Sequence, residues 1–123
     1  MNKEFHRTRA RGRLQFCALE YNSALECPAL LPADRVILLV VRDEEGGLQL
    51  LVHPEWRKSV RKEDSAYIGS LLKDFLERAE LHPEELFQHL CSLTAGPLIT
   101  QEAGSHLGEY PHLLKLLEEF VLA

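Results

Sequence analysis

Apolar residues run unbroken from Val36 to Val41, and a second apolar stretch, broken only by Gln49, returns from Leu48 to Val52. Asp43-Glu44-Glu45-Gly46-Gly47 lies between them. Valine and isoleucine dominate the first run, and β-branching favours a pleated backbone. Paired glycines permit a reversal and the acids solvate its tip. The pattern predicts a central hairpin over 35–53. Its first strand is apolar on both faces and so needs cover on both sides. In the second, Leu48, Leu50 and Val52 share one face, and Gln49, Leu51 and His53 the other.

Upstream, Leu14, Phe16 and Ala18 alternate with Gln15, Cys17 and Leu19, which predicts a strand over 13–20. Residues 21–34 contain Cys27-Pro28 and Leu31-Pro32 and read as a crossing loop, because proline disrupts both helix and central strand. Downstream the period changes from two to between three and four. Tyr67, Leu71, Phe75 and Ala79, flanked by Ile68, Leu72 and Leu76, predict a helix over 63–80 capped by Asp64 or Ser65. Gly69 inside it hints at close backbone packing. A second helix opens at His82-Pro83-Glu84-Glu85, carries Leu86, Phe87, Leu90, Cys91 and Leu93, and is ended by Gly96-Pro97. Residues 97–109 read as a connector with a short extended piece at Leu98-Ile99-Thr100. A third helix over 111–121 is apolar around more than half its circumference.

These elements predict an α+β fold: a small antiparallel sheet of about three strands, built on the central hairpin 35–53 and covered by three C-terminal helices. At 123 residues, 46% of them hydrophobic, the chain is one domain long enough for a core of its own. Residues 1–12 read as a flexible basic leader and 13–123 as a single domain.

Charge changes the picture only locally. The formal net charge is −5, yet Lys3, Arg7, Arg9, Arg11 and Arg13 against Glu4 give residues 1–13 a charge of +4. The remaining body carries −9, which disfavours nucleic acid as a partner. The leader is either solvated or an arm that touches nucleic acid or an acidic protein. Cys17, Cys27 and Cys91 sit in apolar contexts without a CxxC and read as reduced, buried thiols of a cytoplasmic protein. No signal-peptide core and no membrane-length apolar run is present.

Candidate chemistry is sparse. The six histidines lack the paired spacing of a zinc site, so no metal is expected. There is no P-loop and no GxGxxG, so no nucleotide cofactor is expected. Cys17 with His53 would make a nucleophile–base pair, but no nucleophile motif surrounds Cys17. Asp43, Glu44 and Glu45 sit on a solvated turn. Polar, aromatic and basic residues converge only after the hairpin, where His53, Trp56, Arg57, Lys58 and Arg61 form the candidate ligand- or partner-binding set.

The reading leans away from an enzyme. It favours a non-enzymatic interaction, assembly or regulatory module that forms a homo-oligomer, most simply a dimer, through apolar surface including the C-terminal helix 111–121. The competing reading is a small-ligand-binding or enzymatic domain with an anion-accepting pocket near His53–Arg61.

Overall fold

The computed structural model describes residues 14–22, 36–45 and 47–123. The expected leader 1–12, the crossing loop over 23–34 with Cys27, and Gly46 lie outside the described residues. β1 (Gln15–Tyr21), β2 (Val36–Arg42) and β3 (Leu48–Val52) are followed by α1 (Lys62–Leu81) and α2 (Pro83–Leu90). β4 (Leu98–Gly104), α3 (Pro111–Leu117) and β5 (Val121–Leu122) complete the chain, with short 3-10 turns at Trp56–Ser59 and Leu107–Glu109.

The expected hairpin is the middle of the sheet. β2 pairs β3 with Val40 opposite Leu50, and Asp43 Oδ1 accepts hydrogen bonds from the Glu45 and Gly47 amides at 2.9 Å each. That side chain shapes the turn by satisfying two backbone donors. The sheet is larger than the three strands expected: five antiparallel strands in the order β4-β1-β2-β3-β5. Two segments account for the difference. Residues expected to form a connector pair with the free side of β1, and the end of the expected third helix instead pairs with β3. That helix stops at Leu117; Phe120 donates its amide to the Leu117 carbonyl at 3.1 Å and its side chain turns into the core.

β2 is central and covered on both faces. Cys17, Leu19, Tyr21, Leu38, Val40 and Leu50 meet Trp56, Ile68, Phe75, Leu86, Phe87 and Leu90, from the turn after β3 and from α1 and α2. On the opposite face, Phe16, Ala18, Leu39, Val41 and Leu51 meet Leu107, Leu113, Leu117 and Phe120. The register shifts on both sides of β1: toward β4, Ala18 faces Glu102 but Leu19 faces Thr100, and toward β2, Leu19 faces Leu38 but Glu20 faces Val36, so Ile37 is an extra residue in β2. Such a bulge lets Ile37 and Leu38 both join the α1/α2 side. The apolar surplus that suggested a subunit interface is therefore largely covered within the chain.

The helices follow the apolar pattern with local exceptions. Ile68 and Phe75 are buried, but Tyr67, expected on the inner stripe, is 57% exposed. No side chain caps α1; Asp64 is drawn instead to Tyr21 and Arg61. A Cβ on Gly69 would lie 3.3 Å from Arg57 Nη2 and 3.9 Å from the Trp56 ring, so the close packing hinted at by this glycine is the approach of α1 to Trp56. Among the described residues, no helix is long and apolar enough to cross a membrane.

Candidate functional site

The segment after β3 crosses the end of the sheet, and that crossing divides the five residues expected to converge. The His53 ring lies edge-on to Phe120, centroids 5.5 Å apart, on the α3 side. Its Nδ1 accepts the Glu55 amide at 3.1 Å, which leaves Nε2 as the proton-bearing nitrogen of the neutral ring, 3.2 Å from Glu119 Oε1. Trp56 points the other way, buried in the α1/α2-side core. Arg57 stacks over the Trp56 ring at 4.5 Å, and Lys58 pairs with Glu55 at 3.6 Å. Arg61 Nε donates to Asp64 Oδ2 at 3.1 Å. Each of the five thus has a local structural partner, and His53 and Trp56 serve opposite faces. Cys17 packs on the α1/α2 side, so the structure does not bring it to His53.

Arg61 belongs to a polar knot that the sequence reading missed. The hydroxyl of Tyr21, itself fully buried, donates to Asp64 Oδ2 at 2.5 Å. This hydrogen bond and the Arg61 guanidinium hold the Asp64 carboxyl below its ordinary range. Burial, then the Asp64 contact, raises the Tyr21 phenol. The knot ties the end of β1 to the first turn of α1.

A second constellation lies at the opposite end of β2. Arg42 donates through Nη1 to Gln15 Oε1 at 2.8 Å and pairs through Nη2 with Glu84 in the first turn of α2. Its guanidinium carbon lies 5.7 Å from the Phe87 ring centre. Arg42 therefore clamps β1 and β2 to α2. An open hollow of about 510 Å³ lies outside it, lined by Gln15, Arg42, Asp43, Glu44 and Ser105. Neither cysteine lines the hollow: Cys17 and Cys91 are free thiols of the α1/α2-side core, Cys17 fully buried on β1 and Cys91 half-buried at the C-cap of α2.

The neighbouring Cys91 side chain, together with burial, pushes the Cys17 thiol far above its ordinary range. Cys17 in turn lowers Cys91 against the opposing effect of burial, and the Arg42 charge adds to the lowering. Thr100 positions this turn: its hydroxyl donates to the Leu90 carbonyl at 2.7 Å and accepts the Leu93 amide at 2.8 Å. In sequence, Cys17 shares a strand face with Leu19, and Cys91 lies near the apolar stripe of its helix. Those positions were compatible with an encounter, but only the packing of α2 on β1 brings the thiols together.

The third feature is an edge. Val121 pairs with Val52 and Leu122 with Leu51, and the Ala123 amide continues the ladder to the Leu50 carbonyl at 2.8 Å. Among the described residues, no strand pairs with the other side of β5. Val121 is 37% and Leu122 60% exposed. No protein-family model, curated protein or solved structure matches the chain.

Proposed function

We propose that the chain is a non-enzymatic interaction or regulatory module that self-associates by sheet addition at β5. The observation that carries this reading is an edge strand with two exposed apolar side chains, Val121 and Leu122. An open edge offers unpaired N–H and C=O groups to another strand. A second β5 running antiparallel across a two-fold axis satisfies the same groups on both copies. The ladder is short, so the affinity rests on burying Leu122 and Val121 against their counterparts and is expected in the micromolar range or weaker. The apolar surface of α3 contributes by holding Phe120, and through it β5, in place. Light scattering across protein concentration tests the reading, with Leu122→Lys as the variant that should be monomeric. A Leu122→Lys dimer as stable as the parent would refute this edge.

The hollow beside Arg42 favours a second reading, a ligand-binding domain. With Asp43 and Glu44 beside a single arginine already paired to Glu84, the hollow suits a ligand bearing a positive group. An anion at the His53–Arg61 end would have to draw Arg57 off Trp56 or Arg61 off Asp64. Fluorescence of Trp56, the only tryptophan, reports on that end. A saturable response to phosphate or carboxylate compounds would favour the anion pocket, and a flat response would count against it.

A further inference from the structure

The ladder that seats β5 also limits how a second copy can meet it. The Ala123 amide donates to the Leu50 carbonyl at 2.8 Å. Backbone groups in an antiparallel ladder alternate sides along the strand, so Val121 and Ala123 turn toward β3 and Leu122 turns its N–H and C=O outward. Phe120 shares the parity of Leu122, but its amide is committed to the Leu117 carbonyl at 3.1 Å. A single residue, Leu122, thus carries both the free donor and a free acceptor of this edge. Its side chain lies opposite Leu51, on the α3 side, and Val121 lies opposite Val52, on the α1/α2 side. The strand therefore exposes one apolar side chain on each face of the sheet.

We propose, resting on the assembly reading above, that two copies join in one register: Leu122 lies against the partner's Leu122 across a two-fold axis, and Val121 against the partner's Ala123. In that register the two Leu122 residues exchange both hydrogen bonds, so each outward group of that residue is used. The leucine side chains meet on the α3 side. On the other face valine meets alanine, a larger side chain against a small one. A slip that set Leu122 against Phe120 would face its carbonyl with an amide already spent within the chain. The other edge of the sheet is a poorer mate, because the outward Thr100 amide of β4 donates to the Leu93 carbonyl at 2.9 Å. Pairing β5 with β5 closes the assembly at two copies, whereas β5 on β4 would propagate from copy to copy. The result is one continuous sheet with both α3 helices on the same face.

The test uses the full chain, with residues 91–123 supplied as a synthetic peptide ligated at Cys91 so that the Leu122 nitrogen can carry a methyl group. The methyl removes the outward donor, keeps the leucine side chain and leaves the ladder to β3 intact. Light scattering should show association weakened by roughly tenfold or more, for two hydrogen bonds lost per dimer. In a mixture of isotope-labelled and unlabelled parent chains, isotope-filtered nuclear Overhauser contacts should join Leu122 methyls to the partner's Leu122 and Val121 methyls to the partner's Ala123. This second measurement requires no altered chain to fold. An N-methyl chain that associates as tightly as the parent would overturn the proposed register, and so would filtered contacts in another register. If Leu122→Lys is monomeric in either case, assembly at β5 survives without this register. A parent that stays monomeric at every concentration removes both.

Discussion

Phe120 closes the thinner of the two layers over the sheet, and its truncation is the sharpest test of how that layer is built. The ring is 1% exposed, packs in one cluster with Leu51, Leu113 and Leu117, and meets the edge of His53 at 5.5 Å. Phe120→Ala removes a fully buried aromatic and leaves a cavity that α3, pinned to β4 by the His112–Glu102 pair, is poorly placed to fill. Such truncations cost about 3–5 kcal/mol. With a urea slope near 2 kcal/mol per molar for a domain of this size, the unfolding midpoint should fall by roughly 1.5–2.5 M.

The assay is equilibrium urea unfolding followed by circular dichroism in a Leu122→Lys background, at two protein concentrations tenfold apart. Because the contacts of Phe120 lie within one chain, the loss should be the same at both. A loss below about 1 kcal/mol would show that the residue is not buried as described. A loss that appears only at the higher concentration would show that it packs against another subunit.

Thr100→Val should cost roughly 1–3 kcal/mol by leaving the Leu90 carbonyl and the Leu93 amide without their hydroxyl partner. Hydrogen exchange at the Leu93 amide should quicken markedly, and unchanged protection would contradict the assignment. Tyr21→Phe removes the largest cause of the lowered Asp64 carboxyl. A carboxyl held low in the fold stabilises above its ordinary range and loses that contribution as pH falls toward its folded value. The stability gap between parent and Tyr21→Phe should therefore be widest near neutrality and shrink below about pH 4. Because the Tyr21 phenol is raised in the fold, its contribution fades in the opposite direction, and the gap should also shrink above about pH 10. Urea unfolding across this range checks both limbs, and a gap independent of pH would refute the role given to Tyr21 and Asp64.

The parts of the fold that the sequence made legible are those whose apolar pattern matches one element. Val36–Val41 admits only a strand covered on both faces, and β2 is that strand. Ile68 with Phe75, and Leu86 with Leu90, have helical spacing, and they form the inner faces of α1 and α2. β4 was hidden because it is a half-buried edge: only Leu98 is fully enclosed, and Gln101 and Glu102 dilute the alternation. β5 was hidden inside an apolar run that continues the helical pattern past Leu117; tertiary pairing with β3 overrides it. Tyr67 fits the stripe of α1 by spacing, but the side of α1 that turns inward is the one carrying Ile68 and Phe75, and Tyr67 lies about 100° around the helix from Ile68.

The site was less legible for a geometric reason. His53 and Trp56 are three positions apart, and proximity along the chain suggested convergence. The chain passes the end of the sheet between them and sends their rings to opposite faces. Cys17 and Cys91, far apart in sequence, meet because α2 packs across β1, a relation that no local pattern encodes. Gln15, Arg42 and Glu84 come together through strand register and the same packing. Their residue types alone mark nothing more than solvated surface.

Self-association at β5 is the central functional claim, and the mass in solution tests it most directly. Multi-angle light scattering on the parent chain and on Leu122→Lys, from low to high micromolar concentration, should show the parent rising toward twice the 14.0 kDa chain mass while the variant stays at 14.0 kDa. A parent that remains at 14.0 kDa throughout would contradict the claim.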